Sequence, residues 1–108
     1  MRIYAEPCSE RDLLDKYHPG DRVGYTRNIQ ATRIDFENKF NSDFGPDNYM
    51  AALYYAPTND MRKTEDLVIN ECVEGISGLR IPILQPQLYS NAPQGPGYVY
   101  VLHLTFRY

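Results

Sequence analysis

The two histidines, His18 and His103, are the side chains best suited to acid–base chemistry near neutral pH. His18 precedes Pro19 in a predicted turn, and His103 lies inside the last predicted strand. A catalytic histidine needs a carboxylate or a nucleophile within hydrogen-bond reach, and sequence spacing places none beside either ring. We therefore interpret His103 as a partly buried or interface residue. An enzyme that uses His18 or His103 is the least favoured hypothesis, and no catalytic residue is predicted.

Candidate ligand-binding patterns are also weak. Asp43 and Asp47 lie in a loop-like segment, but their spacing lacks the alternating ligands and distal Glu of a calcium loop. The Gly95-Pro96-Gly97 segment lacks the Lys-Ser/Thr pair of a phosphate-binding loop. Cys8 and Cys72 stand far apart and are predicted to be reduced thiols, not a zinc or redox pair. The sequence thus predicts no metal, no cofactor and no small-molecule substrate.

Composition and charge bound the class of protein. The chain has 108 residues, 43% of them hydrophobic and 23% charged, which predicts one folded domain spanning residues 1–108. Its net charge of −3 argues against direct nucleic-acid binding, which normally requires a basic face. No apolar run approaches the roughly 20 residues that span a bilayer, and charged residues near the N-terminus argue against a signal peptide. The predicted location is the cytoplasm, or the host cytoplasm and virion if a phage encodes the protein.

Apolar periodicity predicts the elements that must position these side chains. Strands are predicted at residues 2–5, 25–36 (with a bulge), 49–56, 79–84 and 98–108. One short helix is predicted after an N-cap at Ser9, and a longer one over residues 60–74 buries Val68, Cys72 and Ile76. Residues 40–48 and 85–97 are predicted loops. This order predicts an α+β fold: one antiparallel or mixed sheet of four to five strands with two helices packed on one face.

Two predicted strands carry apolar residues on more than one face. Residues 49–56 are apolar on both faces, which indicates either a central strand or one backed by a neighbouring subunit. In the last strand, one face carries the large apolar residues Tyr98, Tyr100, Leu102, Leu104, Phe106 and Tyr108. The opposite face, with Val99, Val101, His103, Thr105 and Arg107, is half apolar and fits a partner surface or a covering helix.

Protein–protein contact is the predicted use of these surfaces. The 85–97 loop is rich in Pro, Gly, Gln and Asn and carries two apolar residues suited to docking on a partner, so we predict that it is a contact arm. Ten tyrosines also suit an interface, because each combines an apolar ring with a polar tip. The predicted interface residues are Leu88, Tyr89, Val99, Val101, His103, Arg107 and Tyr108.

The order of elements over residues 49–108 resembles the C-terminal half of the tail-terminator (tail-completion) proteins of long-tailed bacteriophages. The resemblance is carried by the apolar strand Met50–Pro57, the helix after Thr58 and the terminal strand ending Leu102-His-Leu-Thr-Phe-Arg-Tyr108. It implies a subunit that closes a ring at the head-proximal end of the tail tube through protein contacts. That family usually opens with a long helix, whereas this chain begins with a short helical segment.

Two functional hypotheses follow. The first is a non-enzymatic structural or assembly subunit, possibly of a phage tail or neck, that self-associates. The alternative is a small acidic inhibitor or binding module that blocks a nucleic-acid-binding protein by charge complementarity. The mass in solution discriminates between them: a ring of about six copies favours the first, and a monomer or dimer favours the second.

Overall fold

The computed structural model describes residues 3–74 and 90–106, and these residues form a single mixed sheet with helices on both faces. In chain order the elements are β1 (Ile3–Pro7), α1 (Glu10–Lys16), β2 (Arg22–Thr26), α2 (Ile29–Phe44), β3 (Tyr49–Thr58), α3 (Met61–Val68), a π-helical segment (Ile69–Glu74) and β4 (Gly97–Phe106). The strand order is β1-β3-β4-β2. β1 pairs parallel with β3, whereas β4 pairs antiparallel with both β3 and β2.

The predicted α+β class and mixed sheet are therefore confirmed, with four strands in the described part of the chain. β3 pairs with both β1 and β4 and is therefore a central strand. This was one of the two explanations offered for its two apolar faces. The predicted strand at 79–84 lies outside the described residues. No helix in the described ranges is long and apolar enough to cross a membrane.

Helices cover both faces of the sheet. The two predicted helices, α1 and α3, share one face as expected, whereas the unpredicted helix α2 covers the other. On one face, Phe40 of α2 packs with large residues of β3 and β4 such as Tyr49 and Leu102. On the other, Leu13 of α1 and Val68 of α3 pack over Val23, Ala56, Val99 and Val101. Strands alternate their side chains between the faces, and β3 and β4 are apolar on both, so each face requires its own cover.

The third helix, α2, replaces the bulged strand predicted at residues 25–36 and most of the loop predicted at 40–48. Phe36, Phe40 and Phe44 recur every four residues and stack along one side of this 16-residue helix. Asn28 caps its start by accepting a hydrogen bond from the Ala31 N–H. The strand prediction was wrong because apolar residues within 29–36 alternate over a short window as they do in a strand. The next segment, residues 40–48, has a composition typical of a loop.

The other two helices begin where the sequence predicts. The Ser9 hydroxyl accepts from the Asp12 N–H at the start of α1, and Asp60 accepts from the Lys63 N–H at the start of α3. Val68 is fully buried, as predicted, whereas the side chains of Cys72 and Ile76 lie outside the described part. Cys8 is a half-buried free thiol.

The described part of the predicted contact arm, residues 90–96, packs against α3 instead of projecting from the fold. Ala92 is fully buried, and its carbonyl accepts from Arg62 Nε at 2.7 Å. The Gly95 carbonyl accepts from the Met61 N–H, and the Ser90 N–H donates to Asp66. This segment therefore completes the hydrogen bonding of α3, while Leu88 and Tyr89 lie outside the described residues.

Candidate functional site

One end of the sheet face beneath α1 and α3 is left open by these helices. We call it the open face and define it by Tyr4, Met50, Ala52, His103 and Thr105, which line a shallow groove of about 350 Å³ together with Ala51. The strand register brings these residues together, because Tyr4 pairs with Ala52, Ala52 with His103, and Met50 with Thr105. Tyr4 is 61% exposed and Met50 is 49% exposed. An apolar patch on three adjacent strands thus faces solvent within the described structure.

Element lengths explain why the face stays open. The seven residues of α1 span roughly 10 Å. The eight residues of α3 and the six of the π-helical segment that continues it span no more than roughly 21 Å, at about 1.5 Å per residue. The ten residues of β3 and of β4 extend roughly 33 Å. The helices contact the part of the face that includes Ala56, Val99 and Val101, so they cannot also reach the end that carries Met50 and Thr105.

Two histidines and an aspartate meet at the rim of the open face. Nδ1 of His103 lies 2.7 Å from Oδ1 of Asp21, and Nδ1 of His18 lies 3.8 Å from Oδ2 of the same carboxylate. The two imidazole ring centroids are 4.9 Å apart. We call His18, Asp21 and His103 the His–Asp–His cluster. It combines one deeply buried oxygen ligand with two ring nitrogens that can act as bases or metal ligands.

A tight turn sets the position of the first two members. The Asp21 N–H donates to the His18 carbonyl at 3.0 Å, and the intervening Pro19 and Gly20 form the corner. Gly20 has φ +93°, the positive value that the third residue of a type II turn requires. The His18 N–H in turn donates to Asp21 Oδ2 at 2.9 Å. These two bonds hold the His18 backbone and the Asp21 carboxylate in one rigid unit.

The Asp21 carboxyl is buried at this rim, with only 3% of the residue exposed. Burial raises its pKa above the ordinary value, because desolvation disfavours the charged form. The hydrogen bonds from His103 and from the His18 backbone act in the opposite direction but do not cancel this effect. Asp21 is therefore a carboxyl whose charge is incompletely compensated by its protein neighbours.

Of the predicted interface residues, only His103 lies in the described site. Val99 and Val101 are fully buried beneath α1 and α3. At these two positions the predicted interface is part of the core, covered by helices of the same chain. Leu88, Tyr89, Arg107 and Tyr108 lie outside the described residues.

Sequence reasoning missed Asp21, Tyr4 and Met50 as site residues. The His18-Pro-Gly-Asp21 segment was the available signal for Asp21, because a Pro-Gly turn brings its first and fourth residues together. Nothing local signals the approach of His103, which is 82 residues further along the chain. The sequence predicts that both faces of the strand containing Met50 are apolar. It does not predict where the helices lie, and their position leaves Met50 exposed.

Comparison with protein-family models, with curated proteins and with solved structures finds no match to this chain.

Proposed function

We propose that this protein is a non-enzymatic structural subunit that assembles with copies of itself through the open face. The observation that carries the proposal is the exposure of Tyr4 and Met50 beside each other on the sheet, in a groove otherwise lined by small or uncharged residues. Contiguous apolar patches on soluble domains commonly mark interaction sites. Tyrosine and methionine are enriched in such interfaces.

The charge pattern favours a second copy of the chain as the occupant. None of the six residues lining the groove is Asp, Glu, Lys or Arg. The chain as a whole carries a net charge of −3, so contact between the charged surfaces of two copies is on average repulsive. Contact through an uncharged face avoids that repulsion, and a face without charge is compatible with itself across a two-fold axis.

The resemblance to tail-terminator proteins supplies a more specific form of the same proposal. In that form the chain is a subunit of a phage tail or neck, and the open face is one half of a head-to-tail contact within a ring. The alternative, an acidic inhibitor of a nucleic-acid-binding protein, uses the protein as a monomer or dimer with its acidic surface as the binding site.

The test compares two glutamate variants by light scattering. Met50→Glu places a charge in the open face, whereas Ile34→Glu places the same charge on α2, across the sheet. Both parent side chains are 49% exposed, so neither substitution buries the new charge in the monomer core. We expect the parent and Ile34→Glu to have the mass of two or more chains. Met50→Glu should have the mass of one chain with an unchanged melting temperature at low protein concentration.

A parent mass of about six chains would support the ring form of the proposal. A mass of two that falls to one in Met50→Glu would support the isologous form, because the alternative does not use the open face. A monomeric parent at high micromolar concentration would overturn self-association and favour the acidic binding module. An oligomer equally unaffected by both variants would show that another surface makes the contact.

A further inference from the structure

The His–Asp–His cluster is a second feature of the rim and shares His103 with the open face. Its candidate ligand atoms, one from each of His18, Asp21 and His103, all lie within 4.8 Å of one another. Two ligands bound to one ion at about 2.1 Å each lie no more than about 4.2 Å apart. The largest separation of the three ligand atoms is therefore close to the separation that a bound ion requires. Rotation of one imidazole ring would bring them within that limit.

The cluster has one largely exposed member and two that are held by the fold, which suits such an adjustment. Asp21 is held by the turn, and His103 is held in β4 next to Leu102, whose partner across the ladder is Arg22. The His18 side chain is 64% exposed, so its ring can move without disturbing the core. The same exposure leaves a side of the cluster open to solvent, where an ion can arrive and a water molecule can complete its coordination.

The surroundings orient the ligands as the outer shell of a metal site does. Asp21 Oδ2 accepts the His18 N–H, which leaves Oδ1 directed at the His103 ring. Nδ1 of His18 lies 3.1 Å from the Lys16 carbonyl, and in the tautomer that donates this bond the lone pair is on Nε2. Hydrogen bonds of this kind fix the tautomer and orientation of metal-binding histidines.

The ligand set selects the class of ion. Two imidazoles and one carboxylate suit Zn²⁺ and the neighbouring divalent first-row metals, whereas Mg²⁺ and Ca²⁺ prefer oxygen ligands alone. A divalent ion also compensates the charge of the Asp21 carboxylate, which is almost completely buried beside the two imidazole rings and a backbone N–H.

We propose that His18, Asp21 and His103 bind one divalent transition-metal ion, with Zn²⁺ as the probe and water completing a four-coordinate site. Binding replaces the hydrogen bond between His103 Nδ1 and Asp21 Oδ1. A His103 ring that binds the ion through Nδ1 carries its one proton on Nε2. Because three protein ligands come from the turn and from β4, the bound ion ties the 18–21 turn to the end of the sheet.

The experiment uses the full-length chain after treatment with a chelator. Isothermal titration with Zn²⁺ should give one ion per chain, and saturating Zn²⁺ should raise the melting temperature. His18→Gln removes an exposed ligand without opening the core, and it should weaken the Zn²⁺ affinity at least tenfold and abolish most of the shift in melting temperature. Asp43→Asn is the matched control, because it removes an exposed acid outside the cluster and should leave the affinity unchanged.

Cobalt reports which atoms bind. Co²⁺ added to the metal-free chain should produce visible d–d absorption without the near-ultraviolet band of cobalt–thiolate bonds, and His18→Gln should change that visible spectrum. A thiolate band would place the ion on cysteine and overturn the proposal. So would the absence of stoichiometric Zn²⁺ binding, or an affinity that is the same in His18→Gln and the parent.

Discussion

Asp21 and His103 form a cross-strand pair: Oδ1 of the first lies 2.7 Å from Nδ1 of the second, immediately beyond the Arg22–Leu102 pair of the β2–β4 ladder. The contact depends on the register of two strands that are far apart in sequence. A slip by one residue would turn the side chains of β2 to the opposite faces and separate the two groups. The same register places Gly24 opposite Tyr100, so this ladder positions both the rim of the open face and the interior beneath α2.

Two neighbouring residues test how α3 packs. Val68 is fully buried against the sheet, whereas Leu67 is 43% exposed on the same helix. Val68→Asp should destabilise the fold by several kcal/mol, because it buries a charge without a partner. Leu67→Asp should change the free energy of unfolding by less than about 1 kcal/mol. Urea denaturation of both variants measures the difference, and equal losses would show that the buried side of α3 is assigned incorrectly.

The aromatic row on α2 should be a main source of stability for its face of the sheet. Phe40 is almost fully buried and lies between Phe36, Phe44 and Tyr49, with ring centroids 5.6–5.7 Å away. Phe40→Ala should cost about 3–5 kcal/mol, because it leaves a cavity and removes three ring contacts. Ile34→Ala on the exposed side of α2 is the control and should stay within about 0.5 kcal/mol of the parent in chemical denaturation. Comparable losses in the two variants would contradict this packing.

Position 24 must be glycine because the Tyr100 ring lies directly over its backbone. A Cβ atom at position 24 would lie within 2.4 Å of Cζ and of the hydroxyl oxygen of Tyr100, a side chain that is itself buried. Gly24→Ala should therefore destabilise the fold by roughly 1–3 kcal/mol, since the ring has to move within a packed layer. In a Tyr100→Leu background the same change should cost much less, and a double-mutant cycle from thermal melts measures the coupling. Additive losses would show that Tyr100 is not the obstacle.

Glu65 should make stability fall as pH rises. The residue is 1% exposed; burial raises its pKa, although the Ser90 hydroxyl donates to Oε1 at 2.6 Å and acts in the opposite direction. The folded state therefore holds its proton to higher pH than the unfolded state, whose ordinary value is 4.5. The stabilising contribution of this proton is complete below pH 4.5 and is lost as pH rises through the higher folded-state pKa.

The measurement is the free energy of unfolding against pH for the parent, Glu65→Gln and the exposed control Asp35→Asn. Because Asp21 has a pKa raised in the same direction, only the difference between each variant and the parent isolates one carboxyl. Glu65→Gln should gain stability relative to the parent as pH increases from 4.5 to 8, and Asp35→Asn should not. A difference between Glu65→Gln and the parent that stays flat across this range would contradict the burial of an ionisable Glu65.

The elements that depend on neighbours within a few residues could be predicted from the sequence. The Ser9 and Asp60 caps and the alternation of β4 act through local hydrogen bonds and backbone geometry. Residues 29–44 were harder to assign, because Ile29, Ala31, Ile34 and Phe36 fit a strand period over a short window while the three phenylalanines fit a helix over a longer one. Packing of those rings against Tyr49 and Tyr100 decides for the helix.

The site, by contrast, depends on how the helices and strands pack together. Placing α2 on one face and α1 with α3 on the other determines which end of the sheet stays open, and no local pattern encodes that division. The pairing of β2 with β4 brings Asp21 to His103 across 82 residues of sequence. Both outcomes have the same physical cause. The hydrophobic effect is non-directional, so the sequence of one apolar face does not specify which other face it packs against. The pairing depends on how all strands and helices bury their apolar faces together.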